Sequence, residues 1–386
     1  MWRNIASNAL TLFIVLLLLA GGVIMWAKSQ YTAAGPLDQA ICLRVESGST
    51  MRRIANQLQA QDAITSRAIF RAGADYSGRS AELKAGNFRI PEHASMAQIV
   101  QAITSSGRST CGTELNFRIG IASAEIQVRK LDPAENLYEE ILSFAPGTDT
   151  PPARYAEIAA LPDLRYRVVL AEGVTSWQVV EELKQADFLT GDIADIPAEG
   201  SLAPDSYEVT KGMARSQLLA QMQERQQNIL NELWPQRAEG LPLDTPQEAL
   251  ILASIVEKET AVPAERPMVA SVFINRLEQG VRLQTDPTVI YGITDGRAPL
   301  GRGLRQSELR RETPYNTYVI DGLPPTPIAN PGRASIAAVL NPAETDYLYF
   351  VADGTGGHAF SETLAEHNEN VARWREIEAE RNKPDQ

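Results

Sequence analysis

The chain is poor in the residues that nucleophilic and metal-assisted enzymes depend on. Among 386 residues there are two cysteines and three histidines. Cys42 and Cys111 are distant in sequence from the polar loops of the C-terminal half, and no Ser-His-Asp or Cys-His order stands out. His358 and His367 have no third ligand at a recognisable spacing, so no metal is expected. No glycine-rich phosphate loop is present, which disfavours nucleotide chemistry and leaves no cofactor to expect. Lys and Arg form no cluster and the formal net charge is −12. Nucleic acid and anionic surfaces are therefore poor candidate ligands. With 44% hydrophobic residues the chain is not disordered, and its length suffices for two or three domains with real cores.

One long apolar run is present. Ala9 to Trp26 carries no charge, and such a length reaches the threshold for a membrane-spanning helix. Met25-Trp26-Ala27-Lys28 follows it without a small-x-small cleavage site, and Trp26 suits a lipid–water boundary. Arg3 and the amino terminus oppose only Lys28, a thin bias toward an N-terminus inside. Residues 1–28 are thus expected as cytoplasmic N-terminus and transmembrane helix, with everything after residue 28 outside the cytoplasm and residues 29–41 as a tether. Cys42 and Cys111 flank a compact block in the exported part. A disulfide closing that block and two unpaired buried thiols fit the pattern equally.

A repeat recurs at an offset of 125 residues, from Val45-Glu46-Ser47-Gly48-Ser49-Thr50 to Leu170-Ala171-Glu172-Gly173-Val174-Thr175. Each copy reads as a strand, a Gly turn, a Thr N-cap and a helix with apolar residues at i and i+4. Small wall-binding modules of the LysM type use such units, and residues 42–108 read as one LysM-like α+β module. Residues 109–166 read as an insertion or linker. In it Leu115, Phe117, Ile119 and Ile121 alternate as a β-hairpin over Thr113 to Asp132, Leu137 to Leu142 reads as a short helix, and Phe144 to Leu164 reads as linker. Residues 167–376 form a larger α+β domain with helices expected over Ser216–Trp234, Thr245–Ala261 and Ala264–Glu278. A strand over Tyr347–Val351 and a turn at Gly356-Gly357 follow, and residues 377–386 read as a flexible tail. The fold class is α+β throughout.

The segment Ile251 to Thr260 places Leu252, Ile255, Val256 and Glu259 on one helical face. Glu257 falls about 160° away, beside Ser254. A carboxylate in line with three aliphatics is paired, protonated or at work. Pro263 ends the helix nearby, so Glu259 sits in a last turn whose free carbonyls disfavour its ionisation. Desolvation acts in the same direction, as a general acid requires. A structural pairing with Arg266 or Arg276 is the competing expectation.

Several strings then form one ordered set. They include Ser201-Leu202-Ala203-Pro204-Asp205-Ser206-Tyr207, Glu257-Lys258-Glu259-Thr260, Leu283-Gln284-Thr285-Asp286-Pro287-Thr288 and Tyr315-Asn316-Thr317-Tyr318. Ile328-Ala329-Asn330-Pro331-Gly332, Tyr347-Leu348-Tyr349-Phe350-Val351 and Gly356-Gly357-His358-Ala359-Phe360-Ser361 complete it. This set resembles the YceG-like endolytic murein transglycosylases, membrane-anchored bacterial enzymes that cut nascent peptidoglycan. The resemblance is dense over residues 168–374, whereas 109–166 departs from it. It implies that Glu259 is the catalytic residue, that glycan strands are the substrate, and that the inner membrane and penicillin-binding proteins are neighbours. Gln284, Asp286, Tyr291, Asn316, Tyr318, Asn330 and His358 are the expected substrate-binding groups, with Tyr315 and Ser335 as further polar arms. A non-catalytic wall-binding scaffold and a two-carboxylate hydrolase pairing Glu259 with Asp286 are the rival readings.

Overall fold

The computed structural model describes residues 2–105, 109–161 and 163–381. The chain divides into two compact units, Met1–Leu115, Val128–Ser143 and Pro152–Arg165 in the first, and Asn116–Gln127, Phe144–Pro151 and Tyr166–Gln386 in the second. Both mix helices and strands.

The first unit begins with α1 (Trp2–Thr32), in which Leu10–Thr32 is long and apolar enough to cross a membrane. Its large side chains from Leu10 to Trp26 stand exposed among the described residues. The chain that follows is not the free tether expected from the sequence. Tyr31 packs so closely on Gly73 that no Cβ would fit there. The Gly35 N–H donates to the His93 carbonyl (3.0 Å), the His93 N–H donates to the Leu37 carbonyl (2.8 Å), and Leu37 is buried. Apolar burial of Leu37 and Tyr31 outweighs the polar look of this stretch.

Strand β1 (Ile41–Val45) leads through Gly48 to α2 (Met51–Ala60) and α3 (Arg67–Tyr76), then β2 (Gly86–Ile90) and α4 (Met96–Ser105). β1 and β2 pair antiparallel from Ile41↔Ile90 to Val45↔Gly86. Ile54, Leu58, Phe70, Phe88, Ile99 and Ile103 fill the space beneath them. Cys42 and Cys111 form a disulfide (Cα–Cα 5.7 Å), which resolves the open choice between bridge and thiols.

Next come β3 (Thr113–Ile119), β4 (Ala124–Asp132) and β5 (Leu137–Phe144). The first two are the expected hairpin; the third replaces an expected helix. Asp132 Oδ1 accepts from the Ala134 N–H (2.8 Å), and Asn136 adopts φ +56°, so the chain reverses and Leu137 onward pairs beside β4. The i, i+4 spacing of Leu137 and Ile141 was weaker than this turn chemistry. The expected linker after it holds α5 (Ala153–Ala159), anchored by buried Tyr155 and Ile158.

Strand β6 (Arg165–Leu170) opens the second copy of the repeat, followed by α6 (Ser176–Lys184). The two copies coincide in detail. Gly48 and Gly173 both take left-handed φ (+76° and +77°), where a side chain would be strained. Thr50 and Thr175 both cap the next helix by accepting an N–H three residues on, each at 3.3 Å. Strand β7 (Ser206–Val209) pairs antiparallel with β6, and the five-stranded order is β5-β4-β3-β6-β7.

The rest of the second unit is α7 (Arg215–Leu233), α8 (Pro246–Glu259), α9 (Arg266–Glu278), α10 (Asp286–Thr294), α11 (Gln306–Leu309) and α12 (Arg333–Leu340). The hairpin β8 (Tyr349–Ala352)/β9 (His358–Ser361) and α13 (Leu364–Arg381) complete it. α8, α9 and α12 pack around Leu252, Ile255, Val269, Phe273, Ile336 and Val339. The tail expected as flexible is helical to Arg381, and residues 382–386 lie outside the described residues.

Candidate active site

Helix α8 is sharply delimited. Thr245 and Glu248 form a reciprocal capping box around Pro246, and Thr260 leaves helical geometry in front of Val262-Pro263. Ala249 to Val256 are all buried, so α8 is a core helix with no polar side. That corrects the facial argument: Ser254 is fully buried, and the Glu257 side chain is only 5% exposed. The two acids differ in partners rather than in face. Glu257 accepts from Arg266 Nη2 (3.4 Å) and from the Gly332 N–H (2.9 Å), and Arg266 also reaches Glu172 (3.1 Å). Glu257 is a structural, paired acid.

Glu259 in the last turn is held differently. Its Oε1 accepts a short hydrogen bond from the Thr285 hydroxyl, and no ion pair forms at it among the described residues. The residue keeps partial solvent access while its surroundings desolvate the carboxyl group, which pushes its pKa up. The Thr285 hydrogen bond opposes that, the charge of Asp286 reinforces it, and His358 and Arg276 act weakly downward. Neither candidate arginine clamps it. Arg266 is spent on Glu257 and Glu172, while Arg276 donates from Nε to the Leu348 carbonyl (2.7 Å) and from Nη1 to the Leu283 carbonyl (2.7 Å). Arg276 thereby ties the Thr285 loop and the start of the β8 hairpin to α9.

Thr285 is itself rigidly set. Its N–H donates to Thr317 Oγ1 (3.0 Å), and Thr288 Oγ1 reaches both the Thr285 carbonyl (2.8 Å) and Thr317 Oγ1 (2.9 Å). All three threonines are buried. Gln284 just before it is exposed, takes left-handed φ (+49°), and is fixed through its backbone N–H to the Thr317 carbonyl. Asp286 opens α10, where the helix dipole favours a carboxylate, and accepts from the Tyr318 hydroxyl (2.7 Å). Burial and that hydrogen bond push the Tyr318 phenol up. His358 in β9 places Nδ1 2.8 Å from Glu265 Oε2, and its N–H donates to Glu265 Oε1 (2.9 Å). Glu259, Thr285, Asp286, Tyr318 and His358 therefore belong to one neighbourhood.

Other expected binding groups are structural. Asn316 is fully buried; its Nδ2 donates to the carbonyls of Glu308, Leu309 and Arg311, and its Oδ1 accepts from the Tyr318 N–H. Asn330 is equally buried, bridging the Val174 carbonyl (2.9 Å) and the Leu202 N–H (2.9 Å). Short amides of this kind satisfy buried loop backbone, which their turn-rich sequence context concealed. Ser335 is fully buried as well. Tyr291 spends its hydroxyl on Glu199 (3.2 Å) and sets its ring against Tyr315, with centroids 5.0 Å apart. Thr285, Glu265, Glu199 and Lys258 were missed as individual residues; Thr285 and Lys258, adjacent to Asp286 and Glu259 in their strings, carried a readable signal.

A match to the YceG-like family covers residues 43–143 and 148–373. The chain belongs to the YceG-like family. That match takes in most of 109–166. A Bacillus subtilis (strain 168) protein named endolytic murein transglycosylase is 28% identical over 367 residues, spanning 92% of this chain and 91% of its own length. A protein of the same name from Streptococcus pneumoniae (strain D39) is 31% identical over 181 residues, 45% of this chain and 32% of that protein. The crystal structure of a YceG-like protein from Listeria monocytogenes aligns with TM-score 0.44 and 26% identity, over 86% of this chain and 98% of that one.

Proposed function

We propose that this YceG-like protein is an endolytic peptidoglycan lytic transglycosylase in which Glu259 serves as both acid and base. The observation that carries the reading is a desolvated carboxyl group at the end of a core helix, bonded to a neutral hydroxyl instead of a cation. Such a group holds its proton until the substrate needs it. It protonates the bridging oxygen of a MurNAc-β-1,4-GlcNAc bond as the C1–O bond breaks and the GlcNAc 4-hydroxyl leaves. The resulting carboxylate accepts the proton of the MurNAc C6 hydroxyl as that oxygen attacks C1 in the same ring. The product is a 1,6-anhydro end, and Glu259 regains its starting state. Intramolecular attack replaces activated water and gains the effective molarity of a tethered nucleophile. Asp286, Tyr318 and His358 lie near this carboxyl and offer groups that bind hydroxyls and amides, and Gln284 precedes Thr285 as an exposed amide.

The name of these relatives and the family membership support this substrate. The apolar helix is long enough to serve as a membrane anchor, and in this reading the anchor is in the inner membrane and the remainder of the chain lies outside the cytoplasm, where the strands are. The 42–108 module then holds glycan near the membrane, where glycan polymerases and penicillin-binding proteins release it. Asp286 supports a second reading, since its charge is felt at Glu259 and a second carboxylate would allow hydrolysis. Digestion of purified uncrosslinked strands separates the two. Anhydro ends, lighter by one water than reducing ends, are expected by mass spectrometry, and reducing ends alone would reject the transglycosylase.

The raised carboxyl also sets the pH dependence. The protonated form is the one that starts the reaction, so activity falls as pH rises through the folded-state value. The Thr285 hydroxyl favours the ionised form, and Thr285→Val removes that support. The alkaline limb of kcat/KM is expected to move to higher pH in this variant and to return in Thr285→Ser. A limb that stays in place would detach it from Glu259.

A further inference from the structure

A cavity of about 450 Å³ opens in the second unit along one face of α10. Pro287, Ile290, Tyr291 and Thr294 line it at the i, i+3, i+4, i+7 spacing of a single helical face. The lined stretch is about 10 Å long at the α-helical rise, and it starts one residue beyond Asp286, beside the Glu259 neighbourhood. Trp177 and Lys258 also face the cavity. Its size falls in the range of pockets that enclose a small ligand rather than a water.

Lys258 is the unusual element. It directly precedes Glu259, and its ammonium is mostly buried. Its one hydrogen bond among the described residues is a long one, from Nζ to the Gly173 carbonyl at 3.3 Å. It makes no ion pair there. The nearby negative charges are committed elsewhere: Glu257 to Arg266 and the Gly332 N–H, Glu199 to the Ser176 N–H (2.8 Å) and Tyr291. The one acid in the cavity wall, Glu182, accepts from the backbone at Ala124. An ammonium has three donors, so Lys258 keeps donors for a ligand. Burial lowers its hold on the proton, and an incoming anion relieves that cost. In a chain of net charge −12, an ammonium without a carboxylate partner inside an aromatic-lined cavity selects a negatively charged ligand with apolar parts.

We propose that this cavity receives the peptide substituent of a muramyl residue, with Lys258 on a peptide carboxylate and Trp177 and Tyr291 against its aliphatic groups. This rests on the peptidoglycan reading above and deepens it: the enzyme reads the stem as well as the sugar chain. The carboxylate has two sources, the peptide itself or the lactyl group that is exposed when the peptide is removed.

The test measures affinity in the full chain carrying Glu259→Gln, so that no turnover is needed. Three strand preparations are compared: stems with free carboxylates, the same stems amidated, and strands stripped of stems. Free-carboxylate strands are expected to bind about tenfold tighter than amidated ones, the scale of one charge-assisted hydrogen bond. Adding Lys258→Met is expected to erase that ratio, and Lys258→Arg to keep it. Equal affinity for free and amidated strands overturns the inference without requiring any variant at Lys258. Stripped strands that bind as tightly as free-carboxylate strands, and lose this with Lys258→Met, overturn the peptide assignment in favour of the lactyl group. A preference that survives while the wild type fails to cleave would sink only the transglycosylase reading; cleavage without the preference would sink only the Lys258 assignment.

Discussion

Glu259→Gln is expected to abolish strand cleavage, with a loss of about 10²–10⁴-fold, while the variant melts at a higher temperature than the wild type at neutral pH. The two halves of this result share one cause. Gln keeps the shape of the side chain and an oxygen that can accept from Thr285, so the loop before α10 retains its anchor. What it loses is the ability to give and take a proton. The stability half follows from the direction of the pKa shift. Burial raises the folded-state value above that of the unfolded chain, so the protonated form is favoured in the fold. The stabilising contribution is present below the unfolded value and is lost as pH rises through the folded one. At neutral pH the wild type therefore carries a penalty that Gln removes, and the gap in Tm closes as pH is lowered below the carboxylate range. Thermal unfolding across pH and product analysis on one preparation check both halves. A variant that is less stable and still cleaves would return Glu259 to a structural role and move the proton-transferring group elsewhere.

Loss of the Cys42–Cys111 bridge is expected to destabilise the first unit by about 4 kcal/mol. The bridge closes a loop with a sequence separation of 69, and the cost follows from the freedom that such a loop regains when unfolded. Cys111 is fully buried, so the paired serine variant also leaves polar groups in an apolar place. Chemical denaturation in the presence and absence of reductant measures the effect; a midpoint that does not move would show that the β1/β2 core carries the unit alone. The second unit, which holds Glu259, contains neither cysteine, so its own transition is expected to stay in place.

Local chemistry made much of the frame legible. The repeat was readable because a left-handed turn needs Gly and a helix start needs an oxygen acceptor, and Gly48, Thr50, Gly173 and Thr175 supply both at matching positions. The membrane-length helix, α7 to α9 and the β8/β9 hairpin were readable from uninterrupted apolarity or periodicity for the same reason: each signal lies within a few residues. The failures have a common origin in longer range. Leu137 to Phe144 has a helical spacing but a strand neighbour, and only the turn at Asn136 decides between them. Residues 33–37 look like a linker until Leu37 meets its core.

The site divides along the same line. An acid at the end of an apolar helix, stopped by Val262-Pro263, could be located from the order of residues, because helix ends and proline act locally. Which acid is paired could not. Arg266 and the Gly332 N–H reach Glu257, and Thr285 reaches Glu259, from segments 9 to 75 residues away in the chain. Asn316 and Asn330 carried the composition of a binding loop and are in fact buried braces, since backbone groups remote in sequence must be satisfied where loops cross. Composition and periodicity thus determined the α+β class, the helix that can cross a membrane and the position of the candidate acid. Partner choice, burial and the direction of each pKa belong to the tertiary structure alone, because electrostatics and desolvation depend on distance in space and not along the chain.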